Sequence, residues 1–283
     1  MEGKRVLVTG ASSGIGLAAT LEFARMGAEV VMHVRDEQRG QAARELIARE
    51  TGSERTGLLR ADFSDLCEVR AAAERFTRLY DRLDVLVANA GAIYPQRQLT
   101  IQGNEITFQV NHLSHFLLST LLEPLLRASA PSRVVTLSSD AHWAAWRGVR
   151  LDDPTYEHGW SPFGAYANAK LANIMFCYEH ARRFHGTGVT STVMHPGLID
   201  SGFGAAGYGV FGSLMHRFSP LVASTPEVGA DTLVWLASSH EVEGATGRYF
   251  YRRRPRRSSP PSHDLEAQRA LWALSAELTD SAR

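Results

Sequence analysis

The stretch Arg5-Val6-Leu7-Val8-Thr9-Gly10-Ala11-Ser12-Ser13-Gly14-Ile15-Gly16 decides how the chain is read. The apolar run from Arg5 to Thr9 predicts a strand, and a glycine-rich turn follows it directly. Beyond the turn, Leu17, Leu21, Ala24 and Arg25 recur at helical spacing, and Gly27 ends that segment as a left-handed cap does. Glycines let the backbone turn tightly and approach a pyrophosphate, while free N–H groups and the positive end of a helix dipole favour the anion. The candidate contacts are Gly10, Ser12, Ser13, Gly14, Ile15 and Gly16. The spacing is Gly-x-x-x-Gly-x-Gly, and a glycine cluster alone can equally be a structural turn. Its place between a first strand and a first helix favours a nucleotide.

Outward from this unit, short apolar runs alternate with longer segments of helical period. Further strands are predicted at Glu29 to Val34, Thr56 to Arg60, Asp84 to Ala88, Arg133 to Leu137, Val189 to Met194 and Gly247 to Phe250. They are apolar on both faces, as a sheet covered by helices requires. No fixed-period repeat or interdomain linker interrupts the pattern. The expected fold is a single α/β domain over residues 1–283, a Rossmann-type doubly wound, mostly parallel seven-stranded sheet with helices on both faces.

Lys and Arg number 30 and Asp and Glu 30, so the formal net charge is zero, which argues against a nucleic-acid or other polyanion partner. Apolar residues at 44% and charged residues at 21% describe a packed globular protein rather than a disordered one. Cys67 and Cys177 fall on separate predicted helices, which fits a reducing cytoplasm. Met1 to Arg5 runs straight into a strand, so no export signal is expected. The charge-free stretch Ser201 to His216 carries five glycines, too many for a transmembrane helix.

The glycine turn, in the form Thr9-Gly10-x-x-x-Gly14-Ile15-Gly16, resembles that of the short-chain dehydrogenase/reductase family. Asn89-Ala90-Gly91, Ser138-Ser139, Tyr166-x-x-x-Lys170 and Pro196-Gly197 follow in the family's order and cover most of the chain. The wording Asn111-His112-Leu113-Ser114-His115-Phe116, Lys170-Leu171-Ala172-Asn173 and His195-Pro196-Gly197 is similar to the retinol dehydrogenase and WW-domain-containing oxidoreductase subgroup.

Tyr166 and Lys170 stand four apart, so on a helix they share one face. Tyrosine, with a pKa near 10, is a poor proton donor at neutral pH, and an adjacent ammonium makes it usable toward a carbonyl or alcohol oxygen. Ser139, at a strand end, can hydrogen-bond a developing alkoxide, with Ser138 as its rival. The resemblance implies a fourth catalytic position at Asn111, holding a water that links the lysine to solvent. His112 and His115 have metal-like spacing without a Cys, Asp or Glu partner, so they read as structural and no metal is expected.

An acid just past strand two would accept from a free ribose 2′-OH and repel a 2′-phosphate. Here Val34 occupies that position and Arg35 follows, so NADP(H) is expected in preference to NAD(H), with Asp36 free to pair with Arg35 or turn outward. The resemblance further implies Asp62 and Phe63 at the adenine, and Asn89, Ala90 and Gly91 under the adenosine and central ribose. It assigns Pro196, Gly197, Leu198, Ile199 and Ser201 to the nicotinamide amide.

Two long segments, 140–162 and 198–226, read as walls and lid of a pocket. Trp143, Trp146, Trp160, Phe163, Phe203, Tyr208 and Phe211 are candidate lining for an apolar substrate. The arginine cluster Arg252 to Arg257 reads as a solvated loop, with a role toward an anionic surface, a phosphopantetheine-bearing carrier or an acidic partner as the alternative, and Ser258-Ser259-Pro260-Pro261 reads as a linker before a last helix, Asp264 to Leu278. The expected activity is that of a carbonyl reductase or alcohol dehydrogenase on a retinoid, steroid or polyketide, in a chain able to form a homo-oligomer. Two other classes stay open: a same-fold epimerase or lyase, and a dinucleotide-binding regulator without turnover.

Overall fold

A computed structural model describes residues 1–197 and 225–280. One sheet runs in the order β3-β2-β1-β4-β5-β6-β7-β8. Its strands are β1 (Arg5–Thr9), β2 (Glu29–Val34), β3 (Thr56–Arg60), β4 (Val85–Ala88), β5 (Ser132–Leu137), β6 (Val189–Met194), β7 (Arg248–Tyr251) and β8 (Arg254–Arg256). All pairings are parallel except β7 with β8.

Alternate residues of each strand serve opposite layers. Val6, Val8, Val30 and Met32 pack with α1 (Gly14–Arg25), α2 (Glu37–Thr51) and α8 (Pro226–Ser238) through Phe23, Ile47 and Leu233. Leu7, Val31, Leu59 and Leu86 point the other way. They meet α3 (Leu66–Leu79) and the helical run of α4 (Ile106–Phe108), a π-helical turn (Gln109–Leu113) and α5 (Ser114–Leu121). After α6 (Glu123–Ala128), α7 (Pro162–Arg183) completes this layer, and α9 (Leu265–Asp280) seats Leu271 against it. Gly27, at φ 78°, stops α1 as its sequence position predicts: its N–H donates to Ala24 O at 3.0 Å, and the Ala28 N–H to Phe23 O at 3.0 Å.

The expectation of seven strands falls one short. The arginine cluster is a hairpin: Arg252 and Arg253 take φ of 49° and 57°, the left-handed pair that a two-residue connection of this twist requires. Their turn returns the chain as β8, whose Arg-Pro-Arg sequence has no apolar alternation to betray it. The expected linker is also corrected. Ser258 and Ser259 are buried, the Ser258 and Tyr178 hydroxyls share a hydrogen bond of 2.8 Å, and Pro260–His263 form a short 3-10 turn. The last helix begins one residue later than expected because Asp264 is its cap, accepting from the Glu266 and Ala267 N–H groups at 2.9 and 3.0 Å. No described helix is long and apolar enough to cross a membrane.

Candidate active site

The sheet order reverses between β1 and β4, which opens a crevice at their carboxyl ends. Thr9 ties its two sides together. Its hydroxyl oxygen accepts from the Asn89 and Ala90 N–H groups at 2.8 and 2.9 Å, and it lies 2.9 Å from His115 Nε2. His115 Nδ1 in turn is 3.0 Å from the Asn111 carbonyl, so one tautomer serves both contacts: Nδ1 donates and Nε2 accepts from Thr9. Burial lowers the His115 pKa to about 3, which keeps that neutral tautomer.

The glycine turn is built as an anion cradle. Gly10 and Gly14 take φ of 67° and 54°. The cap of α1, Ser13, makes no side-chain hydrogen bond, and the N–H groups of Ser12 to Gly16 have no acceptor among the described residues. These unpaired donors at the positive end of a 12-residue helix fit a dinucleotide pyrophosphate. Behind the turn, buried His33 accepts from the Gly10 N–H through Nδ1 at 3.3 Å and stacks on Phe63 at 4.1 Å.

Arg35 is exposed just past β2 and has no carboxylate partner among the described residues. Asp36 turns away from it and caps α2, accepting from the Arg39 N–H at 3.0 Å. Burial raises the Tyr94 hydroxyl pKa, and the Arg35 charge partly offsets that rise. Asp62 accepts from the Ser64 N–H and hydroxyl, both at 2.8 Å. The Phe63 ring is buried between His33 and His115, and its carbonyl accepts from the Ser114 hydroxyl at 2.7 Å.

Tyr166 and Lys170 stand one turn apart on α7, with the Lys170 Nζ 5.4 Å from the Tyr166 ring centroid. Lys170 is 3% exposed and Nζ donates to Leu137 O at 3.4 Å. Asn111 sits in the π-helical turn, where its side-chain N–H₂ donates to Ala92 O and Thr107 O at 2.7 and 2.8 Å. Its Oδ1 is buried without a partner among the described residues. A Cβ on Gly91 would lie 2.6 Å from that oxygen and 3.3 Å from Lys170 Nζ, so both groups face one small space. The serine rivalry is a matter of position. Ser138 is buried, its hydroxyl donating to Lys170 O at 2.8 Å, whereas half-buried Ser139 accepts from the Ala141 N–H and keeps its own hydroxyl hydrogen for another partner.

Burial lowers the Lys170 ammonium from 10.5 to about 8. The unfolded chain keeps this proton up to pH 10.5 while the folded chain releases it near 8. Stability therefore rises with pH across that window, and the full penalty is present below it. Lys170→Met is expected to raise stability at pH 7 by on the order of 1–3 kcal/mol and to flatten the rise above pH 8. Urea midpoints against pH check this, and an unchanged slope would contradict it.

Sequence reasoning missed a strut beside Ser139. Asp140 Oδ1 lies 3.3 Å from both His195 Nε2 and the Tyr249 hydroxyl, and His195 Nδ1 accepts from the Gly197 N–H at 3.3 Å. The strut ties the end of β5 to the Pro196-Gly197 segment. His142 braces the same turn, its Nδ1 donating to Ser139 O at 2.7 Å and its Nε2 accepting from the Ser259 N–H at 3.1 Å. Only residue 140 following Ser139 and the histidine preceding Pro196 hinted at it. His112 is buried against Asn173 and Ser275, a packing role. Trp143, Trp146 and Phe163 are exposed at 48%, 69% and 44%, whereas the Trp160 Nε1–H is tied to Glu105 at 3.3 Å and anchors the loop. Leu198, Ile199, Ser201, Phe203, Tyr208 and Phe211 lie outside the described residues.

The family model for short chain dehydrogenase matches residues 4–150. Human retinol dehydrogenase 14 is 40% identical over 97% of this chain and 86% of its own length. A Streptomyces sp. (strain C5) protein assigned as a daunorubicin C-13 ketoreductase is 40% identical over 100% of this chain and 95% of its own. The Pseudomonas aeruginosa RhlG/NADP active-site complex superposes with a TM-score of 0.70 at 25% identity, covering 88% of this chain and 94% of that one.

Proposed function

The chain belongs to the short-chain dehydrogenase family and is an oxidoreductase that binds NAD(P) on a Rossmann-type sheet; from this premise we propose an NADP(H)-dependent carbonyl reductase or alcohol dehydrogenase acting on an apolar ketone, aldehyde or alcohol. The observation that carries the proposal is the buried Lys170 ammonium beside the Tyr166 ring, one helical turn away and next to the Ser139 strand end.

When bound, the nicotinamide supplies or accepts the hydride at the substrate carbon. Tyr166 gives the proton to the carbonyl oxygen, or takes it in the reverse direction. The Lys170 cation stabilises negative charge on the phenolic oxygen, and the Ser139 hydroxyl donates to the substrate oxygen. The orphaned Asn111 Oδ1 holds a water against Lys170 Nζ, through which the proton on Tyr166 is replaced.

Arg35, free of any acid now that Asp36 caps α2, holds the 2′-phosphate by its fork of donors. Arg35→Ala is expected to raise the dissociation constant for NADPH by about tenfold or more while leaving NADH unchanged. Fluorescence titration with both nucleotides checks this, and equal losses would remove the assignment. Exposed Trp143, Trp146 and Phe163, on the segment that leads into α7 and on its first turn, offer apolar faces for a retinoid, steroid or polyketide carbonyl; the names of the relatives point to the first and the last of these. NADPH oxidation over a panel of retinal, a steroid ketone and an anthracycline ketone identifies which. If small polar carbonyls alone are reduced, the apolar substrate assignment is wrong.

A further inference from the structure

Along the β7–β8 edge of the sheet, a groove of about 1020 Å³ lies between the end of α7, the hairpin and the start of α9. Arg182, Arg248, Arg256, Arg257, His185 and His263 line it, and no Asp or Glu does. In a chain of zero net charge such a one-signed lining is a local arrangement. Arg182 is already engaged with Glu179 and Gln268, and the end of α7 explains a basic residue there. Arg248, Arg256 and Arg257 have no such account: all three are exposed, and among the described residues none has a carboxylate partner. Arg253, on the same hairpin, shows the contrast, its guanidinium paired in a fork with Asp231.

We propose that this groove binds a phosphorylated organic molecule, its phosphates on Arg248, Arg256 and Arg257 and its apolar or aromatic body on the floor. Guanidinium forks match phosphate oxygens bidentately. The floor carries Tyr249, Leu265 and the stacked pair of Tyr178 and His263, whose centroids are 5.5 Å apart. The volume is that of a site for a single small ligand. An acidic peptide added as a strand is disfavoured, because the open edge is β8, three residues long with Pro255 at its centre. The site also has a route to the reaction centre: Tyr249 is among the groove residues, and its hydroxyl reaches Asp140, the residue after Ser139.

Calorimetry on the full chain saturated with NADPH tests this, with tripolyphosphate, adenosine triphosphate without metal, and a decaglutamate peptide as separate probes. At about 0.15 M salt, the two phosphates are expected to bind one to one, adenosine triphosphate more tightly because its base uses the floor. The double variant Arg248→Ala, Arg257→Ala is expected to lose at least about tenfold in affinity with its circular dichroism unchanged, while Arg35→Ala binds like wild type. Absence of saturable phosphate binding below about 1 mM, equal affinity in the double variant, or tighter binding of the peptide would each overturn the proposal. Tyr249 is the one groove residue that also belongs to the strut beside Ser139, and neither Tyr166 nor Lys170 lines the groove, so its failure leaves the oxidoreductase reading untouched.

Discussion

Tyr166→Phe is expected to lower turnover by about 10²- to 10⁴-fold while nucleotide affinity stays unchanged. The substitution keeps the ring, and with it the 5.4 Å approach of the Lys170 ammonium, and removes only the hydroxyl to which the proposal assigns the proton transfer. Tyr166 is half-buried on a helix whose buried side, from Ala165 through Ala181, is packed around it, so the fold does not depend on one phenolic oxygen. Single-turnover rates with saturating NADPH, alongside a nucleotide titration of the same variant, separate chemistry from binding. A rate close to wild type would take Tyr166 out of its assigned role, and a matched loss of nucleotide binding would make the residue structural instead.

Gly16→Ala is expected to abolish nucleotide binding and to cost about 1–3 kcal/mol of stability. Its added methyl would lie 2.2 Å from the Gly10 carbonyl oxygen and 2.6 Å from Asn89 Nδ2. Neither neighbour can yield freely. Gly10 is the first residue of the turn, and Asn89 is fixed by its donation to Thr9 O at 2.8 Å. The methyl therefore pushes the turn off the end of α1 and misaligns the row of N–H groups that forms the cradle. Gly52→Ala is the control: φ there is 69°, with nothing within 4 Å of the new methyl. It is expected to cost roughly 1–2 kcal/mol for the left-handed backbone and to leave nucleotide binding intact. Equal nucleotide affinity for Gly16→Ala and wild type would refute the cradle.

The parallel core was legible in the sequence because its strands are built on short apolar runs between turn residues, from Val6-Leu7-Val8 through Leu58-Leu59 to Tyr249-Phe250. What lacked that signal was missed. β8 is held by hairpin geometry and carries no apolar side chain, and Ser258 is buried through a hydroxyl shared with Tyr178 rather than through hydrophobicity. Within the site, Tyr166 and Lys170 could be paired by helical spacing alone. The choice between Ser138 and Ser139 could not, because it turns on which hydroxyl is buried against Lys170 O. Nor could the fate of Asp36, which follows from the start of α2, or the Asp140–His195–Tyr249 strut, whose members are 55 and 54 positions apart along the chain and meet only when β5, β6 and β7 are side by side.

The most direct test of the account is hydride stoichiometry. NADPH carrying deuterium at the transferable position is incubated with the wild-type protein and a reducible apolar ketone from the panel, and products are read by mass spectrometry. The account predicts one NADP⁺ formed per alcohol, with the deuterium on the carbinol carbon and the hydroxyl proton exchanged with solvent. Substrate converted with no NADPH consumed, or NADPH bound tightly with no carbonyl reduced, would contradict it and favour non-redox chemistry or nucleotide binding without turnover.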